Sequence, residues 1–165
     1  MTHTEASEAA DGSVKQADLL SRYAADLVEK IQRGSGNEQP LKGLKIVVDA
    51  GNGAGGYFAD KVLAVLGADT SGSQFLEPDG HFPNHIPNPD NKEAMASIKK
   101  AVLDNQADLG VIFDTDVDRS AIVSKDGQMI NRNNLIAVLS AIVLSRASRQ
   151  YDCDKLSNLG SFKNL

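Results

Sequence analysis

The chain is built around one run of residues: Leu109-Gly110-Val111-Ile112-Phe113-Asp114-Thr115-Asp116-Val117-Asp118-Arg119. Its first part is apolar and predicts a buried strand, and its second part carries an aspartate at every second position. Like charges this close raise one another's pKa, and a divalent cation bound to all of them removes the repulsion. We therefore predict a tight metal loop in which Asp114, Asp116 and Asp118 are the ligands. Oxygen ligands of this kind suit Mg²⁺, with Ca²⁺ or Mn²⁺ as substitutes.

The acidic run has three alternative interpretations. A solvent-exposed acidic turn is the simplest of them. An EF-hand calcium loop is excluded because it requires Gly and Glu where this chain has Arg119 and Lys125. A haloacid-dehalogenase-type phosphatase begins with an apolar strand and an Asp-x-Asp-x-(Thr/Val) run, which residues 114–117 fit. Its further Ser/Thr, Lys and acidic motifs have little room downstream, so a phosphatase with Asp114 as nucleophile is the weaker alternative.

Composition limits the class of protein. The chain has 165 residues, of which 41% are hydrophobic, and this is enough for one domain with a sizeable core. The net charge of −5 argues against nucleic acid or an anionic membrane as a partner. A lone cysteine, Cys153, favours a reducing compartment, and the apolar run 135–144 is too short to span a bilayer. We expect a soluble intracellular protein of the cytoplasm or plastid.

Hydrophobic spacing divides the chain into five segments. Residues 1–13 are polar and acidic, without a signal or transit pattern, and are expected to be disordered. Residues 14–34 carry apolar side chains at helical spacing and predict an amphipathic helix, and residues 35–40 predict a linker. Residues 41–147 are predicted to be the globular domain. Residues 148–165 form a polar, unpatterned tail that resembles a truncated or alternative end.

The globular domain is predicted to be an α/β fold with three α/β/α layers and a mixed sheet. Strands are expected at about 44–49, 69–75, 109–113 and 120–124, and helices at about 57–66, 90–104 and 133–146. The loop between the last two strands has only about five residues, so the last strand should run antiparallel to parallel neighbours. In the middle helix, Asp90 and Glu93 are expected to form the N-cap pair. In the last helix, Ile136, Leu139 and Val143 are expected to face the sheet.

Loops that follow parallel strands meet at one edge of a sheet, and this edge is the expected site. Gly51, Gly53 and Gly56 satisfy the G-x-G-x-x-G pattern of a dinucleotide site, but the only acidic candidate for the ribose, Glu77, lies in a turn. We therefore prefer a structural loop, in which Gly51, Gly53 and Gly55 let the strand turn sharply into the helix.

The second loop at this edge, residues 77–89, carries four prolines and is expected to be stiff and ordered. Its histidines, His81 and His85, are candidates for ligands or proton carriers. A histidine that only packs within the loop is at least as good an interpretation.

Together the three loops resemble the second domain of the α-D-phosphohexomutases, the family of phosphoglucomutase, phosphomannomutase and phosphoglucosamine mutase. The resemblance runs from about Tyr23 to Arg146. The acidic loop, followed by Ser120, is most similar to a plant, plastid-type branch of phosphoglucosamine mutase-like proteins. Most members have Gly at the position of Thr115 and Gly or Ala at that of Val117, so this loop is bulkier. The residues that carry the resemblance are Asp49-Ala50-Gly51-Asn52-Gly53-Ala54-Gly55, Pro78-Asp79-Gly80-His81-Phe82-Pro83-Asn84-His85-Ile86-Pro87-Asn88-Pro89 and Ala107 through Arg119.

The resemblance implies a reversible 1-to-6 phosphoryl transfer on a hexose phosphate through a bisphosphorylated intermediate. It assigns Asp114, Asp116 and Asp118 as Mg²⁺ ligands, gives Arg119 a supporting role at the transferring phosphate, and makes His85 a candidate substrate contact. The phosphoserine, sugar-binding and phosphate-clamp motifs of the family do not occur in this sequence. We therefore expect the metal-binding domain of a mutase, inactive in isolation, and leave open whether the chain is itself an enzyme.

The resemblance also allows a second function. A binding or regulatory module that keeps this fold would contact a protein partner through surfaces that other mutase domains normally bury.

Overall fold

The computed structural model describes residues 13–147, so the predictions for residues 1–12 and for 148–165, including Cys153, lie outside the described part of the chain. The elements in chain order are helix α1 (Leu19–Ser35), strand β1 (Ile46–Asp49), a 3₁₀ turn (Ala54–Gly56), a π-helix (Phe58–Leu63), helix α2 (Lys92–Asp104), strand β2 (Leu109–Phe113), strand β3 (Ser120–Ser124) and helix α3 (Arg132–Ala147).

The sheet is mixed, as predicted. Its strand order is β1-β2-β3, with β1 parallel to β2 and β3 antiparallel to β2. Asp49, the last residue of β1, pairs with Ile112, so the acidic loop begins directly beside the end of β1. The carboxyl ends of the two parallel strands therefore lie side by side at one edge of the sheet.

The strand predicted at residues 69–75 does not form. Its backbone pairing is reduced to two isolated parallel bridges, from Lys45 to Asp69 just before β1 and from Asp49 to Gln74 at the end of β1. Between them the chain makes a turn at Gly72, whose φ is +94°, and Ser73 N–H donates to Thr70 O at 3.1 Å. The turn uses backbone groups that a continuous strand would have paired with β1.

Helices cover the sheet on both faces, which confirms the three-layer architecture. Alternate residues of β1 point to opposite faces: Val47 packs in the cluster with α2, and Val48 packs with the π-helix and Phe113. Helix α1 packs on the outside of the π-helix, where Ala24 and Val28 meet Val62 and Leu66.

Two local predictions about the helices were wrong in detail. The helix expected at 57–66 is a 3₁₀ turn and a π-helix, in which Ala64 N–H donates to Ala59 O at 2.9 Å. Hydrophobic spacing over so few residues does not distinguish an α-turn from this wider turn. Helix α2 is capped by Asn91, which has extended backbone angles and accepts from Glu93 N and Ala94 N, whereas Asp90 accepts from Arg132 Nη2 at 2.6 Å.

The expectation that α3 packs on the sheet was also wrong. Ile136, Leu139 and Val143 are 61%, 52% and 63% exposed. The helix is apolar on all sides rather than along one stripe, so its sequence does not specify a single buried face. No helix within residues 13–147 has the length and apolarity needed to cross a bilayer.

Candidate metal centre

The acidic run closes into a loop at the carboxyl end of β2. Asp114 is buried, with 1% of its surface exposed, and its N–H donates to Arg119 O at 3.1 Å. In return, Arg119 N donates to Asp114 Oδ1 at 3.1 Å and Arg119 Nε donates to Asp114 Oδ2 at 3.0 Å. Val117 takes the left-handed backbone conformation, with φ of +69°, which tightens the loop.

This loop brings the three aspartates together. One carboxylate oxygen from each of Asp114, Asp116 and Asp118 lies within 4.8 Å of the others. Asp116 and Asp118 are exposed, so the cluster opens to solvent on the side opposite the sheet. Hard oxygen donors in this arrangement fit a divalent cation. The acidic triad could therefore bind a metal ion.

The pKa values of the cluster show the repulsion that a cation would relieve. Burial raises the pKa of Asp114, but hydrogen bonds with Asp118 and Arg119 outweigh it and leave that pKa below its usual value. The pKa of Asp118 is raised, first by its hydrogen bond with Asp114 and then by the charges of Asp114 and Asp116. Without a metal, the proximity of the three carboxylates thus raises the pKa of the exposed Asp118, whereas the pKa of the buried Asp114 stays low.

The glycine turn lies against the acidic loop. Ala54 N–H donates to Thr115 O at 2.9 Å. A Cβ atom added to Gly53 would lie 2.8 Å from the same Thr115 oxygen, and one added to Gly55 would lie 2.7 Å from Phe113 Cδ2. Both positions are too close for a side chain. Such crowding is typical of a structural glycine loop, and the sequence did not reveal that this turn contacts the acidic loop directly.

His85 lies beneath the glycine turn in a buried position. Its Nε2 is 2.9 Å from Asp49 Oδ1 and 3.1 Å from Oδ2, and its Nδ1 is 3.1 Å from Ile86 O. Gly51 adopts a φ of +53°, and a Cβ added there would lie 2.9 Å from His85 Cε1. Both ring nitrogens of His85 therefore have partners within the protein. A contact between His85 and a substrate stays a prediction. His81 is exposed and lies beside Asp79.

Asp49 is a residue of this edge that was not among the predicted site residues. Its side chain is completely buried and, besides His85, accepts hydrogen bonds from Gly51 N at 2.9 Å, Gln74 Nε2 at 2.8 Å and Ser97 Oγ at 3.0 Å. A carboxylate at the end of an apolar strand, followed by a glycine turn, was the available signal. Such a group must find several donors if it is to be buried.

A mixed sheet between two helical layers, with a glycine turn and a triad of aspartates at one edge, defines an α/β/α domain that could bind a metal ion. The family model described as phosphoglucomutase/phosphomannomutase, alpha/beta/alpha domain II, matches residues 21–127. The chain belongs to this family.

Similar proteins agree with this assignment. The chain is 36% identical over 137 residues to a phosphomannomutase/phosphoglucomutase of Pseudomonas putida, which covers 83% of this chain and 28% of that protein. It is 36% identical to a phosphomannomutase of Salmonella typhimurium, over 84% of this chain and 30% of the relative. A crystal structure of a phosphoglucomutase/phosphomannomutase family protein from Burkholderia thailandensis superposes with a TM-score of 0.69 at 34% identity, covering 81% of this chain and 27% of the other. The chain thus spans less than a third of the length of these relatives.

Proposed function

We propose that this chain is the metal-binding domain of a hexose-phosphate mutase, which holds Mg²⁺ through Asp114, Asp116 and Asp118. The observation that carries the proposal is the convergence of these carboxylate oxygens within 4.8 Å on one loop. It is supported by membership of a family whose relatives are named for phosphoglucomutase and phosphomannomutase activity. The substrate class is a hexose phosphate, on which the complete enzyme moves a phosphoryl group between positions 1 and 6.

The residues of the loop have different proposed roles. When bound, Mg²⁺ would act as a Lewis acid on the phosphoryl group. Asp114 is held in place by both the backbone and the guanidinium of Arg119, so one ligand is preorganised. The Arg119 side chain is 54% exposed and presents its positive charge beside the loop, where it would balance the charge of the phosphoryl group. Asp116 and Asp118 supply the exposed ligands.

The isolated chain is proposed to be inactive as a mutase and to bind Mg²⁺ weakly. Phosphoryl transfer in the family depends on a phosphoserine loop, and no such motif occurs in this sequence. Mg²⁺ requires about six oxygens in near-octahedral geometry, so three aspartates leave several positions to water.

The test is a titration of Mn²⁺ and Mg²⁺ into the 165-residue chain. Asp116→Asn should weaken binding by about tenfold or more. Asp126→Asn is the matched control, because Asp126 is exposed in the turn after β3 and its replacement changes the charge equally. A coupled assay with glucose, mannose and glucosamine phosphates should show no turnover. Turnover by the purified chain, sub-micromolar Mg²⁺ affinity, or equal losses in both variants would contradict the proposal.

The exposed surface of α3 favours a second candidate, a non-catalytic module that binds protein. Ile136, Leu139 and Val143 form an uncovered apolar surface, and a mutase lacking its own matched segment is the partner we propose for it. The chain should form a one-to-one complex with the Pseudomonas putida relative from which that segment has been removed. Leu139→Glu should abolish the complex, whereas Leu103→Glu, at another exposed leucine, should not. Failure to form the complex would contradict this candidate.

The structure gives no support to a phosphatase that uses Asp114 as nucleophile. That side chain is 1% exposed, and both of its oxygens accept hydrogen bonds from Arg119. A nucleophile must instead reach the phosphorus atom of its substrate.

A further inference from the structure

We propose that His85 is a positioning residue for the metal loop: by holding Asp49, it fixes the glycine turn against which Thr115 is seated. The importance of this position for metal binding rests on the proposed function. The connection between His85 and the loop rests only on contacts within the chain.

The first step is the contact between His85 and the start of the glycine turn. Asp49 Oδ1 is shared by two donors, His85 Nε2 and Gly51 N, each at 2.9 Å. The ring also lies directly beneath Gly51, where an added Cβ would come within 2.9 Å of His85 Cε1. The ring is held edge-on by Phe75, at a centroid distance of 5.5 Å. His85 therefore contacts both the carboxylate of Asp49 and the turn that lies above the ring.

The second step is the contact between the glycine turn and the metal loop. Gly53 N–H donates to Ala50 O at 2.7 Å, which closes the turn immediately after Gly51. The next amide, Ala54 N–H, donates to Thr115 O at 2.9 Å. Thr115 lies between two of the proposed metal ligands. A displacement of the turn would therefore remove the hydrogen bond that seats the loop between Asp114 and Asp116.

The other side-chain donors to Asp49 bind the carboxylate oxygen that the glycine turn does not use. Ser97 Oγ and Gln74 Nε2 both bind Oδ2, and they belong to α2 and to the segment beside β1. Neither shares an oxygen with the glycine turn. Ser97 thus offers a matched control, since its removal takes one donor from the same buried carboxylate without touching the route to Thr115.

The experiment measures amide hydrogen exchange at Ala54 in three variants. His85→Phe keeps a ring but loses the donor, His85→Gln keeps a donor of similar reach, and Ser97→Ala removes the other side of the network. In His85→Phe, protection of the Ala54 amide should fall by about tenfold relative to the amide of Ile98 in α2. His85→Gln should restore most of it, and Ser97→Ala should leave it unchanged.

Unchanged protection at Ala54 in folded His85→Phe, or an equal loss in Ser97→Ala, would overturn the proposal. Should His85→Phe fail to fold, His85→Asn takes its place, because its amide is too short to reach Asp49. A loss in either variant that His85→Gln does not restore would also count against the role of the donor.

A second measurement, the affinity for Mn²⁺, separates this inference from the proposed function. His85→Phe should bind Mn²⁺ about tenfold more weakly than the wild type, as expected when a support of metal ligands is lost. Absence of binding by the wild type would contradict the proposed function, and hydrogen exchange alone would then decide the inference. Full affinity in His85→Phe beside normal wild-type binding would show that the position of the turn does not matter to the metal.

Discussion

Two buried carboxylates end the two parallel strands, and they are satisfied in opposite ways. Asp49 at the end of β1 accepts hydrogen bonds from four residues of four different segments and is 0% exposed. Asp114 follows β2 and is also buried, but its charge partner is Arg119 from its own loop, and two further aspartates stand beside it in solvent.

The difference distinguishes a structural carboxylate from a proposed metal ligand. A buried charge must be compensated, and donors from several segments make that compensation a tertiary link. Within residues 13–147, the groups that contact the Asp49 carboxylate are hydrogen-bond donors, so the fold itself compensates its charge. The loop of Asp114 carries more negative charge than Arg119 neutralises, and the excess lies where an ion can reach it. The first carboxylate should therefore govern stability, and the second should govern metal binding.

The largest effect is expected for Asp49→Ala. The change leaves the donors from Gly51 and Ser97 without their acceptor, Gln74 Nε2 keeps only Ser97 Oγ, and His85 Nε2 loses its partner. The free energy of unfolding should fall by about 3–5 kcal/mol, because several buried donors lose their acceptor at once. Urea denaturation followed by circular dichroism measures this. A loss no larger than that of Asp126→Ala would show that the network is not a tertiary link.

A smaller effect is expected for Arg119→Met in the absence of metal. The variant removes the guanidinium from buried Asp114 but keeps the backbone hydrogen bond from residue 119. Because the arginine side chain is 54% exposed and solvent screens its charge, the loss of stability should be measurable but smaller than that of Asp49→Ala. Saturating Mg²⁺ should recover part of it, since the ion supplies the missing positive charge.

Arg132→Met is the control for that variant, because Arg132 pairs with Asp90 where both side chains are largely exposed. Its effect should be close to zero and independent of Mg²⁺. If both variants lose the same stability and neither responds to Mg²⁺, then Arg119 acts as an ordinary surface arginine.

Ser97→Ala should cost less again, about 0.5–1.5 kcal/mol. It removes one donor of the Asp49 network, and Gln74 still binds the same oxygen, Oδ2. The measurement is again urea denaturation, with Ser71→Ala as the control, because that exposed side chain lies in the turn beside β1. A loss as large as that of Asp49→Ala would mean that Ser97, and not the carboxylate, holds the network together.

The same two carboxylates show what sequence alone could predict. The acidic loop is local: a strand, a tight turn and three aspartates within five residues are visible in the order of residues. The Asp49 network is not local, since His85 lies 36 residues away and Ser97 lies 48 residues away. A lone histidine in a proline-rich loop gives no sign of which carboxylate it contacts, so the link appeared only in three dimensions.

The errors in the fold have the same origin. The mixed sheet and its antiparallel strand follow from loop lengths and were predicted correctly. The segment 69–75 has the composition of a strand, but the turn at Gly72 overrides it, and hydrophobic spacing does not reveal that turn. Helix α3 was predicted correctly as a helix and wrongly as a core element, because its sequence is apolar on every side and specifies no partner.

The smallest effect on stability is expected for Asp116→Asn without metal. This variant tests the acidic loop rather than the Asp49 network. Asp116 is exposed, and its charge raises the pKa of Asp118 by repulsion. Removing that charge lessens the repulsion within the loop, so the melting temperature of the metal-free chain should stay level or rise slightly. In the presence of Mg²⁺ the order should reverse, because only the wild type gains stability from the bound ion. Melting curves of both proteins with EDTA and with Mg²⁺ make this measurement. A clear loss of stability in EDTA would mean that Asp116 supports the fold, as Asp49 does, and the distinction between the two carboxylate sites would fail.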